Sequence, residues 1–516
     1  MLNKWNFALV LGGLMTGAPS ALAGDYEVYQ GMPSLTVLEY PTYGKLDRGV
    51  AADESLTEEQ AEKLRSPQLK QLSDALLAVK SPGELDALLV STERKLVAND
   101  QAISSGEKDS AKLLPDDYVF FASHIVLLRS LRGLVWKMIP VVKPYRVSHS
   151  QLLTLVRNVA KNMNTFFPRD TWKAGFHYVS EPFSAQDEQF KDKDHADLIQ
   201  FFTKDVSASV AQAYERVNRV AASFTADLQK NPETPTKALL FDSQVAYGAA
   251  NTFADGHYRY KVLGAPEVSL SAGGLALSLA GLKQASAYDL RGALRNVEIV
   301  SKVFGFDGLL TRLDGVTDEE VVSSLRKARL SSPKFLTLRE GGAALMKQSY
   351  DSLTVAYGHL ENAWKAVDGR PSDANRLLNP GLFRDSVISG RRSLKTAKKI
   401  LGLPVTSEAG FRVRSIATNE VVEINLKPFF LNPPQDLLSL LPTGFEVEKE
   451  RCPTYAGSSC KVKVRNYTWG SANAWNYSAH SYFPGLKGAD DFQKRRRILA
   501  ESSALWPAGL LLVVSP

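Results

Sequence analysis

The densest collection of reactive side chains in the sequence is Asp192, Asp194, His195 and Asp197, with His177 and Glu181 a short way upstream. Carboxylates and imidazoles can ligate zinc or calcium, or set up a general base, if folding brings them together in a cleft. The stretch lacks the turn Gly and closing Glu of a calcium loop, and Lys191 and Lys193 alternate with its acids. A solvated helix start with Asp194 as N-cap accounts for the same residues. If the chain is a hydrolase, His177, Asp194 and His195 are the catalytic candidates.

A second concentration lies near the C-terminus. Tyr467, Trp469, Trp475 and Tyr477 are interleaved with Asn, Ser and Thr and followed by His480, Tyr482 and Phe483. Flat apolar faces beside amides and hydroxyls suit stacking on sugar rings or gripping a peptide. The competing reading is a small aromatic core. Upstream, Arg391, Lys395 and Lys398 recur at helical spacing with Arg392 and Lys399 beside them, so a helix would carry one positive stripe. Such a stripe suits anionic glycan, lipopolysaccharide or phospholipid headgroups, or stands as a solvated face.

The two cysteines, Cys452 and Cys460, are expected to bond to each other and staple the loop between them. Loop-closure entropy makes such a staple worth roughly 2–3 kcal/mol. Phosphate-cradling loops, nucleophile elbows and paired-His zinc helices are absent from the sequence. Ser331-Ser-Pro-Lys334 has the spacing of an acyl-enzyme Ser-Lys pair, but Pro333 interrupts the turn that would hold it. No cofactor or metal is expected. The run Lys494–Arg497 reads as solvated charge rather than a nucleic-acid signal.

The address comes from the first residues. Lys4 precedes an apolar run from Phe7 to Met15, and the segment closes on Ala21-Leu22-Ala23, the pattern of a bacterial signal peptide. Its apolar part is too short to span a bilayer, which points to export into the periplasm or beyond. At 516 residues with 44% hydrophobic and 23% charged side chains, the chain is globular in composition and long enough for two or three domains. Charge is uneven. Residues 24–120 hold 10 Lys or Arg against 18 Asp or Glu, and residues 121–516 hold 51 against 37. Either the acidic head pairs with the basic body, or the body presents a basic surface to anionic envelope material or another envelope protein.

The elements that must position these residues are mostly helical. Capping patterns mark starts at Ser55 with Glu58, Ser81 with Glu84, Ser148 with Gln151 and Thr317 with Glu320. Apolar periodicity extends through Leu85, Leu89 and Leu96, and through Ile125, Leu128 and Leu131. Further helices are expected near 148–166, 194–228, 236–253, 285–303, 342–367 and 382–401. Around Gly273-Gly274, the alternation from Val268 to Leu279 predicts a hairpin, readable as an amphipathic tongue or as a hairpin laid against the bundle, with a buried helix start as the other reading of the segment. No uncharged apolar run near 18 residues follows the leader, so no transmembrane helix is expected. After Pro404, residues 411–415 with 421–425, and 445–449 with 461–465, predict two antiparallel hairpins.

The architecture expected is mainly α: a multi-helix bundle, with stacked helical pairs as a variant, followed by a small antiparallel β region stapled by one disulfide. Residues 1–23 form the leader, 24–54 an extended segment, 55–403 the helical domain and 404–516 the β-containing region. The function that fits is a non-catalytic envelope protein, with a hydrolase as the alternative.

Overall fold

The structure is a computed structural model that describes residues 57–137 apart from 108, 110 and 135, then 171–180, 201–242 apart from 232–234, 260–289, 329–368 apart from 331, most of 394–403, and 412–414, 421–440, 444–449 and 462–468. These residues are mostly helical, with two-stranded antiparallel sheets. The chain falls into two compact units, residues 1–282 with 352–392, and residues 283–351 with 393–516.

The first unit opens with α1 (Glu58–Lys63), α2 (Pro67–Ala78) and α3 (Pro82–Ser104). Each start has a physical cause. Thr57 and Gln60 form the capping box at α1, two residues later than the Ser55–Glu58 pair. At α3, Ser81 accepts the Glu84 amide and Pro82 occupies the first turn, as expected. At α2, Ser66 caps the Leu69 amide. Along α3, Leu85, Leu89, Thr92, Leu96 and Asn99 are buried at alternating spacings of four and three.

Helix α4 (Asp116–Ser130) packs against α2 and α3 and against α6 (Ser207–Lys230). A π-helical turn, Phe201–Val206, leads into α6, so the expected 194–228 helix is observed from Phe201 onward. Helix α5 (Thr171–Ser180) adjoins α3. There Asp86 accepts the Tyr178 hydroxyl at 2.8 Å and faces Arg132.

The charge asymmetry resolves into specific pairs. Asp100 takes both Arg216 and Arg219, Asp116 takes Lys237 at 2.6 Å, and Glu93 pairs with Arg129. Every acid in that set comes from the acidic head and every base from the basic body. Head-to-body attraction is therefore realised, and Arg216 is only 3% exposed at its pair.

Two expectations in this unit are overturned. Residues 239–242, expected inside a helix, form β1 (Leu239–Asp242), which pairs antiparallel with β2 (Tyr260–Leu263). Leu240, Tyr260 and Val262 pack with Ala61 in a small cluster. Burial of successive residues in both strands removes the alternation by which a strand is recognised.

The hairpin expected at Val268–Leu279 is instead the middle of α7 (Ala265–Ala287). Its Gly pair does not turn the chain; it admits a neighbour. A Cβ on Gly273 would lie 3.2 Å from the Ala356 carbonyl oxygen and 3.2 Å from His359 Cβ, both on α8 (Gly342–Asp368). Leu279 is 7% exposed and Leu277 half-buried, so no leucine tongue projects from this state.

In the second unit, Arg329 grips Asp436 with both guanidinium nitrogens, at 2.9 and 2.7 Å, and donates a third bond to the Phe335 carbonyl. Phe429 and Phe430 of α9 (Lys427–Leu431) are fully buried, and the Tyr350 ring approaches Phe430. The expected hairpins form. β3 (Arg412–Arg414) pairs with β4 (Val421–Glu423), and β5 (Gly444–Lys449) pairs with β6 (Val462–Thr468). In the latter register Glu448 faces Lys463, an opposite-sign pair across the strands. The described residues contain no disulfide; Cys452 and Cys460 lie outside them.

Candidate functional site

The one histidine with two defined partners among the described residues is His124, in the middle of α4. Asp116 to Leu128 is apolar apart from the leading acids, Ser123 and His124 itself, and from Asp117 to Leu128 only Phe121 is not fully buried. The ring is fixed at both nitrogens. Nδ1 lies 2.8 Å from the Phe120 carbonyl, and Nε2 lies 2.7 Å from Ser271 Oγ on α7. A carbonyl can only accept, so Nδ1 carries the proton and Nε2 accepts from the serine hydroxyl.

That hydrogen-bond order is the order of a serine nucleophile and its base. Two features remove it from catalysis. Ser271 is 7% exposed and His124 8%, which leaves no approach for a substrate. A backbone carbonyl also occupies the orienting position that a carboxylate fills in a catalytic triad. Burial lowers the His124 pKa to about 4, partly opposed by the Phe120 carbonyl, so the ring is neutral near pH 7. The pair is a polar tie between two apolar helices.

The ring sits against Phe120, with centroids 4.7 Å apart. On the far side of α7, His359 of α8 meets the edge of Tyr214 on α6, and burial lowers its pKa as well. Helix α7 is thereby bordered by two histidine-bearing helices, and burial disfavours the charged form of each histidine.

The sequence-derived candidates are distributed differently. His177 is exposed on α5, while Asp194 and His195 lie outside the described residues, as do Asp192, Asp197 and Glu181. Among the described residues no group of three or more His, Cys, Asp or Glu could hold a metal ion. Tyr467 falls within β6; Trp469, Trp475, Tyr477 and Arg391 lie outside the described residues.

Lys395, Lys398 and Lys399 are helical and half-buried, beside the buried Leu394, Ala397 and Ile400. Burial lowers the Lys399 pKa, and the positive charge of Lys395, one turn earlier, lowers it further. Lys395 and Lys399 thus lie one helical turn apart, four residues from each other.

His124 and Ser271 carried weak signals in the sequence. A lone histidine inside the apolar run from Tyr118 to Leu128 must find a partner or be neutral, but nothing local names a serine 147 residues away.

No family model matches the chain, and no curated protein or solved structure matches it either.

Proposed function

We propose that this chain is an exported, non-catalytic protein of the bacterial envelope that binds an anionic glycan, lipid surface or envelope partner through the basic, aromatic-rich region that begins near Arg391. Export rests on the leader pattern of residues 1–23. The observation that carries the binding reading is the placement of Lys395 one turn before the half-buried Lys399, whose charge is disfavoured by burial and by the Lys395 ammonium. An anion seated across that face removes the repulsion, so a ligand gains more there than at an isolated lysine.

Aromatic residues downstream supply the second part of the reading. Tyr467, Trp469, Trp475 and Tyr477 offer stacking faces to sugar rings. The Cys452–Cys460 disulfide is proposed as the staple that joins the inner ends of β5 and β6.

Sedimentation tests the proposal. The purified protein is incubated with cell-wall sacculi or with vesicles containing phosphatidylglycerol at neutral pH. Binding in the pellet without released fragments is expected. The double variant Lys395→Glu with Lys399→Glu should weaken it about tenfold or more, by reversing charge at the contact. Trp469→Ala should lower sacculus binding. If neither material is bound, the proposal fails, and release of soluble glycan or peptide fragments would make the protein a hydrolase instead.

A further inference from the structure

Helix α7 is unlike its neighbours. It runs for 23 residues and is apolar enough to cross a membrane, yet 89% of its most apolar window is buried. At 1.5 Å per residue it is about 35 Å long, against a hydrocarbon core of about 30 Å. Between Glu267 and Lys283 it carries no charge. Each of its residues is buried or half-buried, so no polar face commits it to water.

We propose that the His124–Ser271 contact is an acid-sensitive latch that keeps α7 inside the helical bundle, and that protonation of His124 releases α7 into an anionic lipid bilayer. The geometry supplies the cause. Neutral His124 accepts from Ser271 while its other nitrogen is spent on Phe120. A proton on Nε2 reverses the serine bond and places a full charge between two apolar helices. Water reaches that charge when α4 and α7 separate. Once separated, α7 exposes apolar surface all round, which a bilayer covers and water does not.

The charged groups on the elements around His124 have partners of their own or are exposed. On α4, Asp117 accepts the Ser66 and Tyr118 amides and Asp116 holds Lys237. On α3 and α6, Asp100 holds Arg216 and Arg219, while Glu93 and Asp86 face Arg129 and Arg132. In the π-helical turn, Lys204 and Asp205 are exposed. On α7 itself, Glu267 accepts the Gly264 amide. Burial and the Phe120 carbonyl govern the titration of the ring, which takes its proton well below the usual histidine range. The basic excess beyond residue 120 favours anionic lipid as the acceptor, and such surfaces draw protons as well as cations. Lys283 lies near the end of the helix, where its long side chain reaches the headgroups.

The inference stands apart from the proposed binding stripe, and the test keeps them separate. The purified protein is mixed with phosphatidylglycerol-containing vesicles at about pH 7.5 and at about pH 4.5 and floated through a density gradient, with protease-protected fragments identified by mass spectrometry. Flotation that resists high salt is expected at the lower pH only, with a protected fragment covering 265–287. His124→Gln keeps a polar group that does not titrate and should cut acid flotation about tenfold or more. Ser271→Ala removes the donor that favours the neutral ring and should move the transition toward neutral pH. Circular dichroism at neutral pH checks that each variant folds, and Ser271→Ala carries the test should His124→Gln not fold. The latch is overturned if the protein does not float in acid, if protection maps elsewhere, or if neither His124→Gln nor Ser271→Ala moves the transition.

Discussion

Helices α6 and α7 belong to the same bundle and obey opposite rules. On α6 the buried positions Val210, Ala213, Val217, Val220, Phe224 and Leu228 step by three or four, and Gln212, Glu215, Ala222 and Ala226 face water. On α7 nothing faces water, and Leu270, Leu277, Lys283 and Ala285 are the least covered positions. A helix with one neighbour side announces itself by periodicity. A helix with neighbours all round loses that signal, and any remaining alternation of Ser with Leu is free to imitate a strand.

The largest test of this contrast falls on the buried stripe of α6. Phe224 is 2% exposed, and truncation to Ala should cost about 3–5 kcal/mol by lost transfer energy and the cavity left behind. Urea unfolding at neutral pH measures it. A loss below about 1 kcal/mol would mean that the stripe is not the side α6 packs with.

Next comes the acid sensitivity of the α4–α7 tie. His124 is held neutral in the fold with a pKa of about 4, whereas the unfolded chain protonates it near 6.5. Between those values the unfolded state binds more protons, so stability falls as pH falls, by up to about 1.4 kcal/mol per pH unit and roughly 3 kcal/mol in all. Above pH 6.5 this contribution is constant. His124→Gln should flatten the slope through the window, read as the denaturant midpoint against pH; an unchanged slope would place the titrating group elsewhere.

The tight seam on α7 ranks third. Gly273→Val should destabilise by about 1–3 kcal/mol, because its new carbons meet the Ala356 carbonyl and His359 at distances that already crowd a single Cβ. Were the residue in a hairpin turn, its effect would come through backbone conformation, and Gly273→Ala would cost nearly as much as Gly273→Val. Packing predicts a graded series instead.

Legibility followed the same division. Ser81 with Pro82 marked the start of α3 because a cap is a local hydrogen bond, and Gly342–Val367 was readable because α8 has a polar side. The strands 412–414 and 421–423 were readable from alternation around a short turn. The failures were β1 and α7, both buried on every side, where burial pattern and side-chain pattern part company. At the candidate site, His124 was visible as an oddity inside an apolar run, but its partner was not, because a hydrogen bond between residues 147 apart exists only after folding. The acidic head and basic body were legible in bulk, while the choice of Asp100 for Arg216 was not.

The smallest expected effect sharpens the contrast most cheaply. Gln212 lies on the water side of α6, so Gln212→Lys should change stability by no more than about 0.5 kcal/mol. A lysine at Leu277, the half-covered position on α7, has no such freedom, since its ammonium must reach water past neighbouring helices or remain buried uncompensated. Thermal melting of the two variants at neutral pH compares them directly. A near-equal loss would mean that α7 has a water-facing side after all, and the latch would then have nothing apolar to release.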